Sequence, residues 1–356
     1  MAPGIQSASI DTPSPFSKEA TGVQHEDADD QYGRYHPADP ATLKLESNFG
    51  PMDPAQVGYL QPTSASTPIE IMRERFERDS YLLVKGLLPR QKVLSCRSAY
   101  FTHMSPSGLL RPSTPPVAGL YSGADPRKYL PPGNLRRLFG PKDDPESDLY
   151  ADLMVAAHEA PFYTDFCASP ELRAFIARFT GWTAPPRMLS RTMVRSFVPG
   201  SELTPVHFDQ MYLRGGPPTS LTAWVPIGDV SLEGGGLMYL ERSTDIGQQT
   251  EAEFARNAGN LTDEERVSAF NRNMNDGGFL SRDTVEYAKE KGGRKWLLAE
   301  YEAGDVIFHN PWMVHASCKN EDPEGRIRLA TDLRFVDPEK PYDKRWMKVY
   351  RPLDGL

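Results

Sequence analysis

Thr204-Pro205-Val206-His207-Phe208-Asp209-Gln210 is the stretch on which the reading of this 356-residue chain turns. Side chains alternate between the two faces of a β-strand, so His207 and Asp209 can share one face while Phe208 takes the other. A second histidine follows 108 residues later, in Pro311-Trp312-Met313-Val314-His315-Ala316-Ser317. Two imidazoles and a carboxylate make the facial ligand set of mononuclear Fe(II), which leaves positions open for a bidentate co-substrate and dioxygen. A His-X-Asp pair alone is a weak signal. His315, a β-rich setting and an arginine eleven residues beyond it, Arg326, give it weight. A planar guanidinium can grip an anionic co-substrate bidentately, as lysine does not. Arg328, two residues on and on the same strand face, is the rival for that role.

Around these ligands the second half of the chain reads as β. Short apolar or alternating runs at 188–198, 211–213, 221–225, 236–240, 296–301, 305–308 and 328–336 are punctuated by Gly or Pro, as in a sandwich or jelly roll. The stretch 247–294 breaks the pattern. It is polar and helix-prone (251–257, 263–271, 283–291), and an insertion of that length between strands suits a lid or a substrate-facing wall. In the first half, Thr67-Pro68 is a cap followed by Pro at the first helical position, opening an amphipathic helix to about Asp79. A buried strand follows at 81–86, and a helix starts at Pro89. Loops with short helical pieces fill 104–145, and helices fill 146–181. One domain is expected over 67–356.

Residues 1–66 hold nine acidic against three basic residues and are rich in Pro, Ser, Asp and Ala, so they read as a largely disordered or extended tail. The formal charge of -8 argues against nucleic acid or an anionic membrane as partner. No apolar run is long enough to cross a bilayer, and the first residues lack a secretory pattern. The three scattered cysteines, Cys96, Cys167 and Cys318, make no disulfide framework, so a reducing, cytoplasmic location is expected for a monomer or homodimer.

Several strings together resemble the phytanoyl-CoA dioxygenase-like branch of Fe(II)/2-oxoglutarate oxygenases. They run from Phe76 to Pro89, then His207-Phe208-Asp209-Gln210, Ala223-Trp224-Val225-Pro226-Ile227, Gly234-Gly235-Gly236-Leu237, Ala303-Gly304-Asp305-Val306 and His315-Ala316-Ser317. The resemblance covers about 67–337 outside the insertion. It implies a mainly β fold with flanking helices around a double-stranded β-helix of jelly-roll, cupin-like type. His207, Asp209 and His315 match the iron ligands, and Arg326 matches the arginine that pairs with the distal carboxylate of 2-oxoglutarate. Trp224 holds a position near the co-substrate, with a core aromatic as the other reading. The turn where the family has Gly-Ser-His reads Glu241-Arg242-Ser243-Thr244 here. The implied activity consumes 2-oxoglutarate and dioxygen, releases succinate and carbon dioxide, and hydroxylates an aliphatic carbon of a small, specialised metabolite. Desaturation, cyclisation and epimerisation belong to the same chemistry. Retention of Asp209 disfavours halogenation, which needs that position vacated for halide.

Tyr212, Arg214, His309 and Trp312 are candidate substrate contacts because they flank the ligands. Packing is the alternative for Tyr212 and Trp312, a surface salt bridge for Arg214, and a hydrogen-bonded core role for His309. The cations Arg127, Lys128, Arg136 and Arg137 form either a solvated face or a rim for an acyl-CoA substrate. His103 and His158 lack a partner at ligand spacing and read as structural. Outside the class stand a cupin-like iron dioxygenase independent of 2-oxoglutarate, which Arg326 opposes, and a non-catalytic binding protein, which the intact ligand set opposes.

Overall fold

The computed structural model describes residues 38–274 and 277–356. The chain opens with the short hairpin β1 (Glu46–Ser47) and β2 (Gly50–Pro51), then β3 (Val57–Tyr59) and β4 (Pro62–Ser64). Helix α1 (Ile69–Asp79) leads into β5 (Tyr81–Lys85). A layer of helices follows: α2 (Arg90–Met104), α3 (Asn134–Phe139), α4 (Pro145–Ala157), α5 (Pro161–Cys167) and α6 (Pro170–Thr180). Then come β6 (Arg187–Met188), β7 (Met193–Phe197), β8 (Leu221–Pro226) and β9 (Leu237–Leu240). The insertion carries α7 (Thr244–Asn257), α8 (Asp263–Val267) and α9 (Thr284–Glu290). Strands β10 (Trp296–Leu298), β11 (Val306–His309), β12 (His315–Ser317) and β13 (Arg328–Val336) complete the fold.

Local sequence explains these boundaries. Pro145, Pro161 and Pro170 each sit in a first helical turn, where the missing N–H costs nothing. The Asp144 carboxylate caps α4, and Ser80 stops α1 in the left-handed conformation. Thr262 and Glu265 form a reciprocal capping box on α8. Pro68 stands at the N-cap of α1 rather than inside the helix.

Two sheets face each other. The larger runs β4-β5-β11-β8-β13-β6, with β7 also paired to β13; the smaller runs β12-β9-β10-β3. Strand alternation sorts the side chains into three cores. Ala223, Val225, Phe308, Leu329 and Leu333 pack outward under the helices. Trp224, Tyr239, Tyr301, Ile307 and Ala330 pack between the sheets. Met238, Leu240, Val314 and Ala316 face the N-terminal stretch and the insertion.

Two sequence expectations change. The stretch 1–66 is not wholly a tail, because β3 pairs with β10 and β4 with β5, adding one strand to each sheet. Strands of three residues punctuated by Pro and Gly carry too little periodicity to be seen in sequence. The part of that tail before residue 38 lies outside the described residues. The strand expected at 211–213 is instead the exit of a 3-10 turn, Asp209–Met211. No helix among the described residues is long and apolar enough to cross a membrane.

Candidate metal centre and cavity

His207 and His315 meet through a single antiparallel bridge, with reciprocal backbone hydrogen bonds of 3.0 and 2.8 Å. Their rings lie 4.2 Å apart between centroids. Phe208 turns away into the outer core, as alternation requires, and Asp209 opens the 3-10 turn on the histidine side. One ligand atom from each of His207, Asp209 and His315 lies within 4.8 Å of the others, and all three residues are buried. Each histidine Nδ1 hydrogen-bonds the carbonyl two residues earlier, His207 to Pro205 at 2.8 Å and His315 to Met313 at 2.9 Å. That contact fixes the tautomer with the proton on Nδ1 and leaves the Nε2 lone pair for a cation.

The electrostatics favour the same protonation states. Burial pushes the His207 pKa down, and burial together with His207 and His309 pushes that of His315 well down, so both imidazoles stay neutral near pH 7. Burial alone would raise the Asp209 pKa. The Arg334 guanidinium, with His309 and His315, instead holds it well below the carboxylate range. Arg334 grips both Asp209 oxygens, at 2.6 and 3.1 Å, and the Thr222 hydroxyl and His309 Nε2 reach the same carboxylate at 2.5 and 3.3 Å. Neutral imidazoles beside an ionised, oriented carboxylate fit a divalent iron.

His207 and His315, with Asp209 buried beside them, stand at the floor of a cavity of about 410 Å³, a volume ordinary for a small organic ligand. Trp224 and Tyr212 line it, and the Tyr212 ring stands edge-on to His207 at 5.7 Å while its hydroxyl donates to the Gly278 carbonyl. Arg328 lines it as well. The guanidinium donates to the Gly235 carbonyl and to Ser317 Oγ, both at 3.0 Å, and its carbon lies 4.4 Å from the centre of the Phe197 ring. Burial lowers its pKa to about 10, which still leaves it a cation at neutral pH.

Arg326 is elsewhere. It is 38% exposed at the side chain and pairs with Glu324 at 2.5 Å and Asp322 at 3.4 Å on the outer surface. The reason is a change of pairing partner. Residues 325–327 bond to the loop at 119–121, and the ladder with β7 and β8 starts only at Arg328, so strand parity does not carry back to Arg326. Of the two rivals, the one that lines the cavity, Arg328, therefore stands thirteen residues after His315, not eleven.

The remaining candidates take the following places. Arg214 makes a bidentate pair with Glu251 of α7, at 2.6 and 2.9 Å, over the Phe254 ring, which ties the insertion to the Asp209 turn. Trp312 packs on Phe208 in the outer core rather than in the cavity. His309 sits behind Asp209 and hydrogen-bonds Tyr239 at 3.1 Å. In the proposed basic rim, Arg127 pairs with Asp125, Lys128 with Glu146 and Arg136 with Asp148. His158 is structural: its Nδ1 bonds the Met154 carbonyl, Nε2 accepts from the Val194 amide, and Tyr350 stacks on its ring.

Sequence reasoning missed Arg195, Asp332 and Arg334. One signal was available. Arg328, Asp332 and Arg334 share parity on a strand whose other face is wholly apolar or hydroxylic, and a charged row on a buried strand faces a cavity or a partner. Residues 131–138 and 353–356, which help form the cavity mouth, carry no such signal.

The sequence profile of the phytanoyl-CoA dioxygenase (PhyH) family matches residues 143–327. The chain belongs to that family. It is an enzyme of the non-heme iron, 2-oxoglutarate-dependent class, and the double-stranded β-helix expected from the motifs is the observed core. No curated protein matches the sequence. Among solved structures, the α-ketoglutarate-dependent carbocyclase SnoK from nogalamycin biosynthesis is 18% identical, over 83% of this chain and 96% of its own, with a TM-score of 0.48. The epimerase SnoN from the same biosynthesis is 17% identical, over 76% and 80%, at 0.42. HygX from Streptomyces hygroscopicus with iron bound is 15% identical, over 75% and 86%, at 0.40.

Proposed function

We propose that this family member oxidises an aliphatic C–H bond of a small organic molecule, using iron held by His207, Asp209 and His315. The observation that carries the reading is the convergence of these three donors, two of which, His207 and His315, line a cavity that also holds the buried guanidinium of Arg328. Bound iron with 2-oxoglutarate supplies dioxygen activation. The chain's own residues do the rest. The carbonyls of Pro205 and Met313 fix the imidazoles, Arg334 and Thr222 orient Asp209, and Arg328 receives the distal carboxylate of 2-oxoglutarate, with Ser317 and Gly235 fixing its plane. Trp224 walls the co-substrate side. Hydroxylation is the default outcome, and desaturation, cyclisation or epimerisation would follow from a different placement of substrate over the metal.

An acyl-CoA substrate finds less support, because Arg127, Lys128 and Arg136 of its suggested rim are paired with carboxylates. We take residues 38–356 as one catalytic unit, since β3 and β4 complete the two sheets. The buried free thiols of Cys96, Cys167 and Cys318 suit a reducing, cytoplasmic setting. The deciding experiment is anaerobic visible titration of apoprotein with Fe(II) and then 2-oxoglutarate. A weak charge-transfer band is expected, lost in His207→Ala and weakened in Arg328→Gln. Bound iron without any band sinks the 2-oxoglutarate assignment.

A further inference from the structure

Among the described residues the cavity is lined by Arg137, Arg191, Arg195, Arg328 and Arg334, by Asp332, and by Leu356, whose oxygen accepts from Arg191 at 3.1 Å. Arg191 is held by both oxygens of Asp354 at 2.8 Å, Arg334 by Asp209, and Arg137 stands at the solvent edge. Arg195 differs from all of these. It lies on β7 between Met193 and Phe197, half-buried, opposite Ala330 of β13. Among the described residues its guanidinium has no hydrogen-bond or ion-pair partner, and neither has the Asp332 carboxylate one step along β13. Both side chains line the same cavity as His207, His315 and Arg328.

Arg328 is held by Gly235 and Ser317, and Arg334 by Asp209, so Arg195 is a cavity guanidinium left without a contact of its own among the described residues. Desolvating an unpaired guanidinium is costly, and a charge-assisted hydrogen bond to a ligand anion would recover that cost.

We propose that the substrate is an organic acid and that Arg195 receives its carboxylate. The proposal rests on the reading of the site as iron- and 2-oxoglutarate-dependent, with Arg328 committed to the co-substrate. A single guanidinium with no other contact suits one carboxylate better than a phosphate ester. Arg195 is thus a specificity residue: it selects the acid and holds it over the floor formed by His207 and His315.

The test uses full-length protein loaded with Zn(II) and 2-oxoglutarate, which does not turn over. Ligand-observed NMR then compares a panel of small carboxylic acids with their primary amides, pair by pair. In wild type the acids should bind at least about tenfold more tightly than the amides, the worth of one charge-assisted bond. Arg195→Gln should erase the preference and Arg195→Lys should keep part of it, while both bind 2-oxoglutarate within about threefold of wild type, since no contact to it is lost. Equal binding of acids and amides in wild type, a panel without binders, or a preference that survives Arg195→Gln overturns the proposal. So does a tenfold loss of 2-oxoglutarate affinity in Arg195→Gln, which would make Arg195 a co-substrate residue. Wild type that fails to bind 2-oxoglutarate at all identifies the earlier reading as the one at fault, and the proposal falls with it.

Discussion

The floor and the mouth of the cavity are built in opposite ways. At the floor, a backbone bridge joins His207 to His315, carbonyls hold both imidazoles, and four side-chain hydrogen bonds orient Asp209. The mouth is made from loop residues 131–138, insertion residues such as Phe270 and Phe279, and the stretch 350–356. Those pieces reach their places through a few tethers, among them Tyr350 on the Pro132 carbonyl and Arg214 on Glu251. Chemistry placed on paired strands is held rigidly, whereas a wall made of loops can be exchanged to take a different substrate.

The sharpest way to break this contrast is at the floor. His315→Ala should reduce affinity for Fe(II) or Co(II) by more than about a hundredfold, beyond the 10–100-fold typical of an outer-shell partner. Anaerobic competition with a chromophoric chelator reads it, with circular dichroism to check the fold. Loss of less than tenfold would mean that His315 is no ligand.

Acid should act at the mouth. The His158 pKa is lowered to about 4 by burial, and its ring stacks on Tyr350 at 4.8 Å. Between pH 6.5 and 4 the unfolded chain takes up a proton at this site and the folded chain does not. Stability contributed here is therefore complete above pH 6.5 and falls as pH drops toward 4, by about 3 kcal/mol in all. Urea melts of wild type and His158→Gln across this range should show the variant with the shallower acid slope. Parallel slopes would discount the burial.

Gly247 probes the seam between floor and mouth. A Cβ there would stand 2.3 Å from the Trp312 carbonyl oxygen, so the close approach of α7 to the His315 loop needs glycine. Gly247→Ala should cost about 2 kcal/mol in denaturant unfolding, as overpacking does, and should shift metal affinity little. A neutral result would show that α7 can move away freely.

What could be read in the sequence follows the same division. Strand pairing imposes period two, so β8, β9, β11 and β13 were legible from alternation and Gly-rich punctuation, and the candidate ligands from their spacing along the chain. The short edge strands β3 and β4 were not, since three residues cannot display a period. Trp312 and Arg214 stood between two readings in the sequence, because adjacency to a candidate ligand does not say which side of the chain a side chain leaves. Trp312 leaves toward Phe208, and Arg214 toward Glu251. The mouth was invisible for a deeper reason: loop side chains are placed by tertiary contacts, not by a local repeat.

Arg326 and Arg328 give the finest test, because one spacing rule and one geometry disagree over two residues. Counting from His315 selects Arg326; the fold puts Arg326 on the surface beside Glu324 and puts Arg328 in the cavity, bonded to Ser317 and Gly235. A bidentate guanidinium–carboxylate contact is worth roughly 1.5–3 kcal/mol, which is about 10–100-fold in affinity. Arg328→Gln should therefore raise the 2-oxoglutarate dissociation constant by that factor with Fe(II) affinity nearly unchanged. Arg326→Gln breaks only exposed ion pairs and should stay within about twofold, as surface pairs usually do. Isothermal titration on the Zn(II) form separates the two. If Arg326→Gln carried the larger loss, residues 325–327 would have to leave their bonds to 119–121 when the co-substrate binds. The floor of the cavity would then be no more fixed than its mouth.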